Sequence, residues 1–186
     1  IEMNVDGVVY LDYQSGKPVD KRVFEAMQPY LLEKFGNPSS LHTTGDIATD
    51  ALDKAREQVA KFVNAEAANE IVFTSGATES NNLALIGFAQ RNKKKGKHII
   101  ISEVEHISIH NIAKYLQKDG FEISKVPVDF NAKVRLEKLQ ERIREDTILI
   151  SIQLANSEVG TIQPVAEIAK IAKERGIALH VDAVAA

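Results

Sequence analysis

The sequence predicts an α/β protein built on a mostly parallel, doubly wound sheet, and three observations lead there. Short runs rich in β-branched residues and apolar on both faces recur along the chain, as strands of a covered sheet require. Segments with helical spacing separate them, and strand–helix–strand repetition favours parallel strands joined by crossovers. The residues directly after these runs are polar and glycine-containing, and in open α/β sheets the carboxyl ends of the strands form the ligand-binding edge.

The strand-like runs are 71 to 74, 98 to 102, 122 to 126, 147 to 153 and 178 to 182. Between the last two, Val165, Ile168, Ala169 and Ala172 repeat at i, i+3, i+4 and i+7 while Glu167, Lys170, Lys173 and Glu174 face the other way, and Gly176 ends that helix. The first 65 residues differ. One weak strand, Val8 to Leu11, precedes two long helix-like segments, Val19 to Leu32 and about Thr44 to Val63, around the loop 35 to 40. The sequence thus divides into an N-terminal arm with helices, 1–65, and the sheet-forming segment 66–186. No internal repeat or low-complexity linker interrupts it.

Composition excludes several classes. A chain of 186 residues, 44% hydrophobic and 26% charged, has the balance of a soluble globular domain. Its longest apolar runs, such as Ile99-Ile100-Ile101, are far shorter than the roughly 18 residues a membrane span needs, and no signal segment opens the chain, so a cytoplasmic location is expected. The net charge is -3, and the one basic cluster, Arg91 to Lys95, reads as the solvated end of a helix; no nucleic-acid partner is expected. With no cysteine, disulfides, thiolate metal sites and thiol chemistry are absent from these residues. Ile1 opens the chain and Val184-Ala185-Ala186 closes it immediately after a strand, so both ends read as trimmed or processed.

Three polar segments follow strand-like runs. Ser75-Gly76-Ala77-Thr78-Glu79 opens a helix, whose free N–H groups suit a phosphate; the plainer reading is an ordinary helix start with Ser75 or Thr78 as cap. Glu103-Val104-Glu105-His106 follows the second run and Leu154-Ala155-Asn156 the fourth, which brings a histidine and an amide to the same edge. His106 and His110 stand four apart as two metal ligands on a helix would, but no third ligand has suitable spacing, and no metal is expected. The last run ends His180-Val181-Asp182. A buried acid there needs a charged or hydrogen-bonding partner, and a pyridinium nitrogen is one. An acid facing that nitrogen keeps it protonated and lets the ring withdraw electrons from a substrate.

At this point the sequence resembles a family. Tyr10-Leu11-Asp12-Tyr13, Pro18-Val19-Asp20, the loop Phe35 to His42, Val72 to Ser80, Glu105-His106, Asp146 to Ser151, Asn156 to Pro164 and His180-Val181-Asp182-Ala183 are similar, in order, to the signature of the NifS/IscS-type cysteine desulfurases within the class V aminotransferases. The resemblance covers about residues 8 to 186. It implies the large domain of a pyridoxal-phosphate (PLP) enzyme with an aminotransferase-like fold, truncated. It further implies that Ala77 and Thr78 bind the cofactor phosphate, that His106 stacks on the pyridine ring and serves in proton transfer, that Asn156 lies near the ring oxygen and the substrate carboxylate, and that Asp182 pairs the ring nitrogen. The implied reaction converts L-cysteine to L-alanine, with the sulfur leaving as a persulfide for iron–sulfur cluster or thio-cofactor assembly. The implied partners are a second copy in a homodimer or a completing C-terminal chain, and an iron–sulfur scaffold or other sulfur-acceptor protein.

The sequence departs from the family pattern in three places. The family's cofactor-binding lysine belongs to the segment after Asp182, where this sequence ends, and its catalytic cysteine lies further on. A glutamine usual three residues after the aspartate is replaced by Ala185, and the usual small-Thr-Thr run before the proline is Ser15-Gly16-Lys17. These residues alone are expected to be inactive. The competing reading is a degenerate homologue acting as a scaffold or partner in sulfur transfer without PLP chemistry; another PLP lyase or aminotransferase fits the loop 36 to 42 less well. A parallel sheet cut after Asp182 also leaves an open edge, which predicts a chain unstable as a lone monomer.

Overall fold

The computed structural model describes residues 3–5, 7–13 and 15–186, with the side chains of 3–5 left out. It falls into two compact units, one ending at Phe73 and the other beginning at Thr74.

In the first unit, β1 (Met3–Val5) and β2 (Val8–Tyr10) pair antiparallel, with Gly7 between them at φ +82°. Only the second of these strands is legible as a strand in the sequence. Helix α1 (Lys21–Leu32) begins after Asp20, whose side chain accepts the Arg22 N–H, and α2 (Thr43–Val63) begins after His42 and ends at Asn64, which takes the left-handed conformation. The loop before α2 is tied down locally: the Asn37 side chain accepts from Ser39 N–H, and Thr49 Oγ1 donates to the Pro38 carbonyl. Within the unit the Arg56 guanidinium lies 5.9 Å from the Phe73 ring centroid.

The second unit is the expected doubly wound sheet. Four strands, β3 (His98–Ser102), β4 (Glu122–Val126), β5 (Thr147–Gln153) and β6 (Ala178–Asp182), run parallel in the order β4-β3-β5-β6. β3 and β5 lie in the middle and every residue in them is buried, which accounts for their apolar character on both faces. Helices α3 (Ala77–Asn92) and α4 (Ile107–Lys118) pack with Ile99, Ile101 and Leu149 on one face. On the other, Leu139 of α5 (Leu136–Arg142) and Ile168 and Ala172 of α6 (Val165–Glu174) pack with Ile100, Ile150 and Ile152. Each fully buried isoleucine contributes about 1.5–3 kcal/mol through removal of its side chain from water.

Helix α6 stops where the sequence predicts. Gly176 sits at φ +65°, its N–H donates to the Lys173 carbonyl, and the Ile177 N–H reaches the Ala172 carbonyl, so the last free carbonyls of the helix are capped as the chain turns into β6.

One predicted strand is absent. Residues 71 to 74 form no strand, and Val72 and Phe73 are exposed. Their β-branched character suits a strand, but among the described residues no neighbouring strand takes up their backbone groups, and a strand exists only as part of a ladder.

The start of β3 depends on one glycine. A Cβ added at Gly96 would stand 2.2 Å from the Asp146 carbonyl oxygen, the oxygen that accepts the His98 N–H at 3.1 Å where β3 meets β5. Gly96→Ala is therefore expected to push the strand entry aside and destabilise the protein by about 1–3 kcal/mol, a loss to be read from denaturant unfolding. An unchanged midpoint would show that the backbone accommodates the methyl group.

Candidate active site

Because the four strands are parallel, the ends of β3, β5 and β6 meet at one edge. Gln153 and Asp182 are register partners there, and the Leu154 N–H donates to the Asp182 carbonyl at 2.7 Å. The chain leaves β3 through Ser102 and reaches His106 at the start of α4, while α3 begins at Gly76 on the same face of the sheet.

Asp182 is buried, as a carboxylate at the end of an apolar run must be if it is to be shielded and partnered. Its Oδ2 accepts a hydrogen bond from Asn81 Nδ2 at 2.9 Å and its Oδ1 one from the Val184 N–H at 3.1 Å. A carboxylate has about four lone-pair directions, so acceptor capacity remains for a further donor.

His106 is exposed and caps α4. Its Nδ1 accepts from the Ser108 N–H at 3.2 Å and lies 2.8 Å from Ser108 Oγ. His106 and Asp182 are linked through Ser108 and Asn81.

At the start of α3, the N–H groups of Ala77, Thr78 and Glu79 make no hydrogen bond among the described residues, as the first turn of a helix leaves them. Gly76 is the cap, not Ser75 or Thr78, and it provides no side chain to occupy those donors. A Cβ built on Gly76 meets nothing within 4 Å, so the approach to them is open. Glu79 turns back to accept the Ser75 N–H and hydroxyl at 2.7 and 2.5 Å, and the Ser75 hydroxyl holds its carboxyl below the usual range.

Asn156 is buried and committed to its own turn. Its Oδ1 accepts from the N–H groups of Glu158 and Val159, and its Nδ2 donates to the Val104 carbonyl at 3.2 Å. One amide hydrogen remains for anything bound at this edge. The same Val104 carbonyl accepts Gln153 Nε2 at 2.8 Å, which joins the β5 end to the segment before α4.

Glu105 is the least expected member. It is 6% exposed; its Oε1 accepts from Ser102 Oγ and from the Gln153 N–H at 3.0 Å, and its Oε2 is buried with no hydrogen-bond partner among the described residues. Burial pushes its carboxyl up to about 7, and the Asp182 charge pushes in the same direction. His180, on the same face of β6 as Asp182, contacts Ser151 Oγ at 2.9 Å through Nδ1 and is held below the usual imidazole range by burial. His110, which the sequence pairs with His106, lies within α4, and no group of three His, Cys, Asp or Glu with metal-binding geometry occurs among the described residues.

Sequence reading singles out Ala77 and Thr78 through the family resemblance, and His106, Asn156 and Asp182 also because each follows a strand-like run. It misses Asn81 and Ser108. Both carry a readable signal: Asn81 heads the buried stripe Leu85 and Ala89 at i+4 and i+8, and Ser108 heads Ile112 and Leu116 at the same intervals. A buried polar residue opening an apolar stripe requires a polar partner.

These groups fit PLP: an acid with spare acceptor capacity, an exposed imidazole and open helix N–H groups lie on one face of the sheet at its carboxyl edge. The chain belongs to the class-V aminotransferase family, whose model matches residues 9–186. Its curated relatives include the cysteine desulfurase IscS 1 of Archaeoglobus fulgidus, 57% identical over 95% of this chain and 46% of that protein. The cysteine desulfurase IscS of Dictyoglomus turgidum is 52% identical over 95% of this chain and 44% of its own length. Among solved structures, a NifS-like protein superimposes with a TM-score of 0.89 at 43% identity, covering 92% of this chain and 48% of that one. The chain thus spans about half the length of the relatives it matches.

Proposed function

We propose that this chain forms the N-terminal part of a PLP-dependent cysteine desulfurase, which converts L-cysteine to L-alanine and passes the sulfur on as a persulfide for iron–sulfur cluster or thio-cofactor assembly. The observation that carries this reading is Asp182: a buried carboxylate at the end of β6, braced by Asn81, with acceptor capacity to spare.

In this reading Asp182 takes the N–H of the pyridine ring. The free N–H groups of Ala77 and Thr78, at the positive end of α3, hold the phosphate. His106 stacks on the ring, and Asn156 offers its remaining amide hydrogen to the ring oxygen or the substrate carboxylate. PLP, when bound, supplies an electron sink for the substrate's α-carbon. The residues of this chain supply orientation and charge. Residues 1–65 serve as an arm with helices, and 66–186 form the first part of the PLP-binding domain. No helix among the described residues is long and apolar enough to cross a membrane. A cytoplasmic homodimer, or a complex with a completing chain, working with an iron–sulfur scaffold or sulfur acceptor, fits the reading.

The test is the visible spectrum of the complete protein with PLP, followed by borohydride reduction and intact-mass analysis. A trapped adduct on a lysine downstream of Ala186, together with alanine release from cysteine, is the expected result. An adduct at Lys17 would reassign the anchoring amine, and no adduct with no alanine would overturn the proposal.

A further inference from the structure

We infer that Asn81 and Ser108 are positioning residues that transmit the orientation of Asp182 to His106 and fix that histidine as the tautomer carrying its proton on Nε2. The inference rests on the PLP reading only for its consequence in catalysis; its geometry is independent of any bound group.

The direction of each hydrogen bond follows from the one before. Asp182 presents only acceptor oxygens, so the Asn81 side chain must aim its NH2 group, not its carbonyl, at Oδ2, 2.9 Å away. The same Nδ2 lies 3.2 Å from Ser108 Oγ, so the serine oxygen accepts the second amide hydrogen. The one proton of the Ser108 hydroxyl is then available for His106 Nδ1 at 2.8 Å. The Ser108 N–H points at the same nitrogen from 3.2 Å. Two donors converge on Nδ1, which must offer its lone pair, and the neutral ring carries its hydrogen on Nε2. Asn81 and Ser108 are both buried, which makes an unmatched hydrogen bond at either one costly and the directions hard to reverse.

The consequence is chemical. The outward nitrogen of neutral His106 is an N–H donor, not a free base. Toward a bound group the neutral ring therefore enters as a hydrogen-bond donor, and Asp182, through two intermediates, sets that polarity.

The test is two-bond proton–nitrogen NMR of the complete protein carrying 15N-labelled histidine and stripped of PLP, well above the usual imidazole value of about 6.5, with the His106 signal assigned by its loss in His106→Gln. The expected wild-type spectrum shows an unprotonated Nδ1 and a protonated Nε2. Ser108→Ala removes one of the two donors to Nδ1 and is expected to raise the minority tautomer roughly two- to tenfold; Ser108→Thr, which keeps the hydroxyl, is expected to restore the wild-type ratio. A wild-type ring protonated on Nδ1, or a ratio unmoved by Ser108→Ala, would overturn the inference. The wild-type spectrum decides even if Ser108→Ala fails to fold. PLP uptake, recorded separately, tests the function: the expected tautomer without PLP uptake sinks the desulfurase reading alone.

Discussion

Replacing Asp182 by asparagine is expected to lower turnover by the PLP-loaded complete protein about 100- to 1,000-fold, the loss typical of removing one preorganised electrostatic group at a reacting centre. The change is nearly isosteric and removes the charge that faces the ring nitrogen in the proposed site. The fall should appear mainly in kcat, because the charge matters most as electrons move toward the ring. A smaller structural cost accompanies it. Two donors, Asn81 Nδ2 and the Val184 N–H, converge on the carboxylate. An amide offers them one oxygen and one NH2 group, so one donor loses its acceptor, at about 1–3 kcal/mol where that donor is the buried Asn81 and less where it is the N–H of exposed Val184. Steady-state kinetics alongside denaturant unfolding separates the two effects. Undiminished turnover would remove Asp182 from the reaction.

Glu105 is expected to contribute about 3 kcal/mol less to stability as pH rises from near 4.5 through 7. Burial raises its folded-state value to about 7 from an ordinary 4.5, so the folded protein holds a proton that the unfolded chain releases across this interval. The stabilisation is complete below the unfolded value and is lost as pH rises through the folded one. Three histidines act in the opposite sense. His98, bridging Thr147 and Ser124 in the buried start of β3, and His110 and His180 are held below the usual imidazole value by burial. Their contribution is present above that value and is lost as pH falls. The experiment must therefore compare Glu105→Gln with the wild type across the range. The wild type is expected to lose about 3 kcal/mol relative to the variant between the two ends. A constant difference would show that Glu105 titrates normally.

Most of the second unit was legible because its signals are local. The all-buried β3 and β5 show their position as uninterrupted apolar runs, and Gly176 marks the end of α6. The run 71 to 74 misled because it carries the composition of a strand without a partner strand among the described residues, and pairing is not a local property. β1 escaped notice because three residues are too few to display an alternation. The site divides in the same way. Asp182 and His106 follow strand runs and could be picked out by position. Their connection runs through contacts separated by 101 and 27 residues, Asn81 to Asp182 and Asn81 to Ser108, which no local window contains. Asn156 stands out in the sequence by position, but its commitment to the 156–160 turn shows only in the hydrogen bonds of the turn.

Asn81 and Ser108 each head a stripe whose next members, Leu85 and Ala89 on one helix and Ile112 and Leu116 on the other, are packed into the same apolar layer. The two helices share one bearing surface, so the seating of their polar tips depends on how their greasy shafts fit together. Ala89 has no exposed surface, so a bulkier side chain there would overfill the layer and displace α3. The misalignment would reach Asn81, about 12 Å further up the helix at 1.5 Å per residue. Fine adjustment of the edge chemistry is thus set by steric fit two turns away, and drift in that distant layer would detune the histidine without altering any residue near it.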